Sequence, residues 1–220
     1  MEPVCVRVKS AEQRIVEELT ESNRAEEAAN LHPLIISYIH DVPNVLMITL
    51  GTGVGGGVIT GGRLLDGRRG IAGELGQFTL RADGPLCPCG KRGVFEYYAS
   101  TTALVRQCAE RTGREGLNGK IIFGEIGQGN EVFRSVLEDW IRDIAEGLTS
   151  LVHLFNPEMI LIGGGVSRQQ KLLIDPLWEA VLRRCMPRFT EGLQIESAEL
   201  GNDAGMIGAV RFWLDKEEEK

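Results

Sequence analysis

The run NVLMITLGTGVGGGVITGG at residues 44–62 sets the tightest limit on the fold. Residues 45–50 are continuously apolar, a pattern that suits a central strand buried on both faces and therefore a sheet with helices packed against it. The strand stops at Gly51. GGGVITGGRLLDG then reads as a short hairpin with turns at Gly61-Gly62 and Asp66-Gly67. Glycine makes up 28 of the 220 residues, well above the usual level of about 7%. The excess gathers in this run and in GELG, IGGG and LGNDAGMIGA, where backbone must turn sharply or approach a ligand closely.

The rest of the chain alternates strand and helix patterns. PVCVRV (3–8) reads as a strand, residues 11 to about 40 as one or two largely solvated helices, and QFTL (77–80) as a further strand. Helices are expected from about Gly93 to Arg111. The strongest period lies at 131–155, where Val132, Val136, Trp140, Ile144, Leu148, Val152 and Phe155 recur every three or four residues. NPEMILIGGG (156–165) gives a turn, a buried strand and a glycine turn, and DPLWEAVLRRCM gives a helix opening at an Asp-Pro pair. LQIESAEL is a strand, and Asn202 or Asp203 caps a final helix containing Ile207, Val210 and Leu214. The expected class is α/β, a mixed sheet flanked by helices.

Charge and composition exclude several functions. With a net charge of −7 there is no basic footprint for nucleic acid or anionic lipid. The start, MEPVCVRVKS, lacks a signal peptide's apolar core, and no stretch approaches 18 consecutive apolar residues, so a cytoplasmic protein with neither membrane nor nucleic-acid partner is expected. The five cysteines are odd in number and mostly scattered, which argues against a disulfide framework. Cys5, Cys108 and Cys185 read as free, mainly buried thiols. His32, His40 and His153 are isolated, and His153 reads as a satisfied, partly buried residue of the long helix.

Glycines at strand ends bear on chemistry. A buried strand ending in Gly-Thr-Gly exposes backbone N–H groups at the carboxyl end of the sheet, where α/β proteins bind ligands, and with the Thr52 hydroxyl these can hold phosphate oxygens. It is neither a Walker A loop, since no Lys-Ser/Thr follows, nor a dinucleotide fingerprint, since a strand follows rather than a helix. Tight packing within the hairpin is the competing explanation. ILIGGGVS repeats the arrangement, with a plain β-to-α turn as its alternative. Between the two lies GELGQFTLRADGPLCPCGKRGVFE, whose Cys87 and Cys89 suggest metal ligation, although zinc needs about four donors.

Taken together, LGTGVGGGVITGG, GELGQFTLRADGPLCPCGKRGVFEYYAS, NPEMILIGGGVS and LGNDAGMIGAV resemble the ROK family of sugar kinases and related repressors, within the actin/hexokinase-like ATPase superfamily. The resemblance implies a ribonuclease-H-like, actin-like ATPase lobe over residues 44–214, with 1–43 a remnant of a first lobe and 215–220 a solvated tail. It implies ATP with Mg²⁺ as cofactor. The loop Gly51, Thr52, Gly53 and Gly55 would contact phosphates, and Gly163, Gly164 and Gly165 would flank the adenosine. A hexose or N-acetylhexosamine would be held by Glu74, Gln77 and Glu96, carboxylates suiting vicinal hydroxyls because each offers two acceptor oxygens.

The same resemblance exposes departures. The family's zinc is held by the His of E-x-G-H and three Cys of C-x-C-G-x-x-G-C, yet Gln77 and Val94 occupy two of those positions. Val94 cannot coordinate, so Cys87 and Cys89 are expected to remain as a thiol pair rather than close a zinc shell. No D-x-G-G-T phosphate loop is found, and Lys9 stands where the catalytic Asp would follow a P-V-x-V strand. A protonated lysine cannot accept a sugar hydroxyl's proton, so no catalytic residue is assigned.

Three functions follow: a sugar kinase with impaired or no catalysis from this chain alone, a non-catalytic binding or assembly protein of the same fold, and a transcriptional repressor. The repressor ranks last, because the segment that would bind DNA carries Glu17, Glu18, Glu21, Glu26 and Glu27 against Arg14 and Arg24. An apolar face at Ile207, Val210 and Trp213 predicts a homo-oligomer, with cover by residues 11–40 of the same chain as the alternative.

Overall fold

The structure, a computed structural model, describes residues 42–87 and 89–198. A five-stranded sheet organises them, formed by β1 (Val45–Leu50), β2 (Val54–Thr60), β3 (Arg63–Leu64), β4 (Met159–Gly163) and β5 (Gln194–Ser197), in the spatial order β3-β2-β1-β4-β5. β4 and β5 run parallel to β1, whereas β2 is antiparallel to it. The expected mixed sheet is present.

β1 is central because its side chains are apolar on both faces. Leu46, Ile48 and Leu50 point into the main core with Val54 and Val58 of β2. Val45 and Met47 join Ile59 and Leu161 in a smaller cluster. The β2–β3 hairpin turns through Gly61 and Gly62 at φ 58° and 76°, a conformation of a primed two-residue turn that side chains other than glycine resist.

Helices α1 (Phe95–Ala99), α2 (Thr101–Thr112), α3 (Gly119–Gly127), α4 (Glu131–Phe155) and α5 (Asp175–Leu182) complete the described residues. α4 starts where the Asn130 side chain accepts the Val132 amide and ends at Asn156, which adopts φ 45° and returns its N–H to Val152. Its inner face buries Val136, Trp140, Ile144, Leu148 and Val152. At about 1.5–3 kcal/mol per large apolar side chain removed from water, this burial outweighs intrinsic helix propensity. Val132 departs from the expected stripe: in the helix's first turn it is 46% exposed.

Three further differences stand out. QFTL is not a strand, since only Thr79 forms a bridge, to Val94. Leu80 and Arg81 both donate to the Gly93 carbonyl, and the Phe95 amide donates to Phe78. α3 lies in a segment without an expected helix, and α5 is preceded by a π-helical turn at Gln170–Ile174. The strand expected at 3–8, the helices expected at 11–40, Cys5, His32, His40 and the expected final helix with the apolar face proposed for it lie outside the described residues.

Candidate functional site

Two strand ends meet at the carboxyl edge of the sheet. β1 delivers Leu50 into the loop Gly51-Thr52-Gly53, and β4 delivers Gly163 into Gly164-Gly165. Gly164 has φ 95°, and a Cβ there would lie 2.3 Å from the Leu50 carbonyl oxygen. Any side chain at that position would therefore push the two turns apart.

The glycines of this region fall into two kinds. At Gly55 a Cβ would strike Thr49 Oγ1 at 2.6 Å, and at Gly163 it would strike Met47 Cε at 2.6 Å, so close internal packing explains both. At Gly51 the nearest atom to such a Cβ, the Gly53 oxygen, is 4.0 Å away, and around Gly165 there is open space. At Gly53 the three atoms nearest to a Cβ all belong to the Glu96 carboxylate, the first at 2.4 Å. Thr52 is exposed. Gly51 and Gly165 therefore leave space beside the two strand ends that side chains do not fill.

Loop polarity is equally uneven. The carbonyls of Leu50, Gly51, Thr52 and Gly53 all accept hydrogen bonds, from Thr101 Oγ1 (3.1 Å), the Thr101 amide (2.8 Å), Thr102 Oγ1 (2.8 Å) and the Gly51 amide (3.0 Å). The Val54 amide donates to Glu96 Oε2 at 2.9 Å. Among the described residues, the amides of Thr52 and Gly53 donate to no protein acceptor. Carbonyls are tied back and two N–H donors are left over among the described residues, an arrangement chemically able to receive an anion.

The GELGQ turn lies against the start of β2. A Cβ on Gly76 would sit 2.1 Å from the Val54 carbonyl oxygen, the Gly76 carbonyl accepts the Glu96 amide at 2.9 Å, and the Glu74 carbonyl accepts the Gln77 amide at 3.0 Å. Glu74, Gln77 and Glu96 are thereby gathered around one strand end, with Glu74 exposed and the other two half-buried. Glu96 is held on α1, a short helix whose Phe95 is fully buried and stacks on Phe78 at 4.9 Å.

The cysteine loop is closed by backbone. Cys87 donates its amide to Lys91, Gly90 to Cys87, and Gly93 to Pro85. The Cys89 amide donates to Cys87 Sγ at 3.5 Å. The side-chain hydrogen bond between the two thiols raises the pKa of Cys87 and lowers that of Cys89. Val94 is fully buried, and no group of three or more His, Cys, Asp or Glu able to hold a metal occurs among the described residues. This donor set does not fit a structural zinc ion. Cys108 and Cys185 are free and buried, and desolvation lifts Cys108 to about 11. His153 accepts the Met186 amide at 3.2 Å and meets Phe189 edge-on, the satisfied state expected of it.

Sequence reasoning missed Thr101 and Thr102. The only available signal was the Ser-Thr-Thr cluster at a helix start, where hydroxyls commonly bond backbone. In α2 it is Ser100 that caps the helix, accepting the Ala103 amide, and the two threonines reach the glycine loop instead.

The sequence profile described as the ROK family matches residues 24–216. The glucokinase of Thermotoga maritima is 38% identical over 185 residues, covering 78% of this chain and 57% of that protein. An N-acetylmannosamine kinase of Escherichia coli is 32% identical over 174 residues, covering 79% and 58%. A ROK family glucokinase from Streptomyces griseus, solved in complex with glucose and AMPPNP, superposes with a TM-score of 0.75 at 34% identity, over 84% of this chain and 65% of that one. The ROK hexokinase of Thermus thermophilus gives 0.70 at 33%, over 86% and 65%. The chain spans less than two thirds of the length of each.

Proposed function

We propose that this chain, which belongs to the ROK family, forms the wall of a sugar-kinase cleft that binds ATP and a hexose or N-acetylhexosamine in adjoining subsites. One observation carries the reading: Glu96 Oε2 lies on the Val54 amide, immediately beside the unclaimed amides of Thr52 and Gly53. The carboxylate that the family resemblance assigns to a sugar hydroxyl thus adjoins the donors suited to phosphate. The glucose and AMPPNP bound by the Streptomyces griseus glucokinase and the names of the other relatives support the substrate class.

In this reading the Thr52 and Gly53 amides hold phosphate oxygens, and Gly51 and Gly165 leave room for the chain and the nucleoside. When bound, Mg–ATP supplies the transferable phosphoryl group with its charge partly neutralised. Glu96 and Glu74 accept hydrogen bonds from sugar hydroxyls, Gln77 adds a neutral donor and acceptor, and together they orient the hydroxyl toward the loop. Phosphoryl transfer depends chiefly on such positioning and on charge stabilisation. Proton acceptance is not assigned to a described residue, since Lys9, at the family's Asp position, lies outside them.

A second reading, binding without transfer, is favoured by that lysine. A coupled assay across glucose, mannose, N-acetylglucosamine and N-acetylmannosamine separates the two. Sugar-dependent ADP release establishes the kinase. Saturable binding of Mg–AMPPNP and sugar without turnover establishes the binding protein, and absence of any nucleotide binding overturns both.

A further inference from the structure

We propose that Thr101 and Thr102 are positioning residues that hold the Gly51–Gly53 loop in the shape that presents its amides to the nucleotide, an inference that rests on the nucleotide reading of that loop. Two glycines in three residues give the free loop a wide choice of backbone conformations, and a loop that samples them all binds a phosphate chain poorly, because ordering it costs free energy on each encounter. Something must fix the carbonyls on the far side. Two consecutive residues fix three consecutive carbonyls: Thr101 takes Leu50 through Oγ1 and Gly51 through its amide, and Thr102 takes Thr52 through Oγ1 at 2.8 Å.

The clamp is itself anchored. The carbonyl of Ser100, the residue before it, accepts the indole N–H of Trp140 at 3.0 Å, and Trp140 is fully buried on α4. The Ser100 hydroxyl caps α2 through the Ala103 amide at 3.1 Å. A continuous path of hydrogen bonds therefore runs from the core helix to the loop, and it ends on carbonyls only. With those carbonyls held, the Thr52 and Gly53 amides have no partner among the described residues and stay available for an anion. Thr102 is exposed, so its hydroxyl can be removed without opening the core.

The test compares the wild type with Thr102→Val, Thr101→Val and Thr102→Ser. In the unliganded chain, amide exchange of Gly51 and Val54 is expected to rise about five- to tenfold in the valine variants, the effect of losing one hydrogen bond, while Ile48 within β1 is unchanged. Binding of Mg–AMPPNP is expected to weaken by a similar factor in Thr102→Val and to return in Thr102→Ser, with glucose affinity held within twofold. Unchanged loop exchange overturns the proposal, as does an equal loss of glucose and nucleotide affinity. A wild type that binds no nucleotide overturns the nucleotide reading instead, and the exchange measurement still decides whether the threonines hold the loop. Because Thr101 is half-buried, Thr102→Val carries the decision if Thr101→Val fails to fold.

Discussion

Glu96 and Val54, 42 residues apart in sequence, are joined by a 2.9 Å hydrogen bond from the Val54 amide to Glu96 Oε2. The bond places a carboxylate suited to sugar hydroxyls at the end of a loop suited to phosphate. The bond engages Oε2, one of the two carboxylate oxygens.

Replacing Glu96 by Ala removes both roles at once. Hydrogen bonds to a charged group are worth about 1.5–3 kcal/mol, so Glu96→Ala is expected to weaken glucose binding by roughly ten- to a hundredfold. Calorimetry checks this, with Glu96→Gln falling in between because its amide oxygen still accepts the Val54 N–H.

The thiols should separate by pH. Cys89 is exposed and its pKa is lowered through its hydrogen bond with Cys87, whereas burial pushes Cys108 up to about 11. Since the thiolate is the reactive form, iodoacetamide at neutral pH is expected to label Cys89 before Cys87, Cys108 and Cys185. Labelling of Cys108 requires strongly alkaline conditions or unfolding, as peptide mass mapping against pH would record.

Glu125 gives a stability prediction with a definite sign. Arg114 at 2.6 Å, then Asn130 at 3.0 Å, hold its carboxyl below its ordinary value of 4.5. A group depressed in the folded state stabilises above its unfolded pKa and loses that contribution as pH falls through the folded one. Glu125→Gln should therefore unfold more easily than wild type at pH 7, with the difference closing as pH drops below 4.5. Denaturant midpoints at several pH values test it.

Gly147 sets two effects against each other. Alanine in a helix interior gains about 1 kcal/mol over glycine. A Cβ at Gly147, however, would lie 2.2 Å from Cε2 of Phe95, whose ring is fully buried and stacked on Phe78. Overpacking a core costs about 1–3 kcal/mol. Gly147→Ala is expected to be destabilising overall by about 1 kcal/mol, read from urea unfolding.

The elements legible in the sequence were those whose own pattern decides their structure. β1 shows as an apolar run because both its faces are buried, the hairpin shows because Gly61 and Gly62 fit its turn, and α4 shows because Val136, Trp140, Ile144 and Leu148 keep one face over many turns. α3 did not show, since GKIIFGEIG holds three glycines and is helical because Ile122, Phe123 and Ile126 are buried by their neighbours. QFTL looked like a strand, yet Leu80 and Arg81 bond to the Gly93 loop rather than to a ladder. At the candidate site, the motif singled out Glu96 for attention without showing what it bonds to. Its bond to Val54 and the threonine clamp join residues more than 40 positions apart, and local pattern carries no record of such pairings.

The most direct test of the central claim uses Gly51→Val. Outside the adjoining residues, the nearest atom to a Cβ at Gly51 is the Gly53 oxygen at 4.0 Å, so the substitution is expected to add bulk in the space assigned to the nucleotide, with the melting temperature of the variant checking that the fold is kept. Calorimetric titration with Mg–AMPPNP is predicted to give one-site binding to the wild type and a loss of at least tenfold in the variant, with glucose binding retained. Equal nucleotide affinity in both proteins would contradict the account.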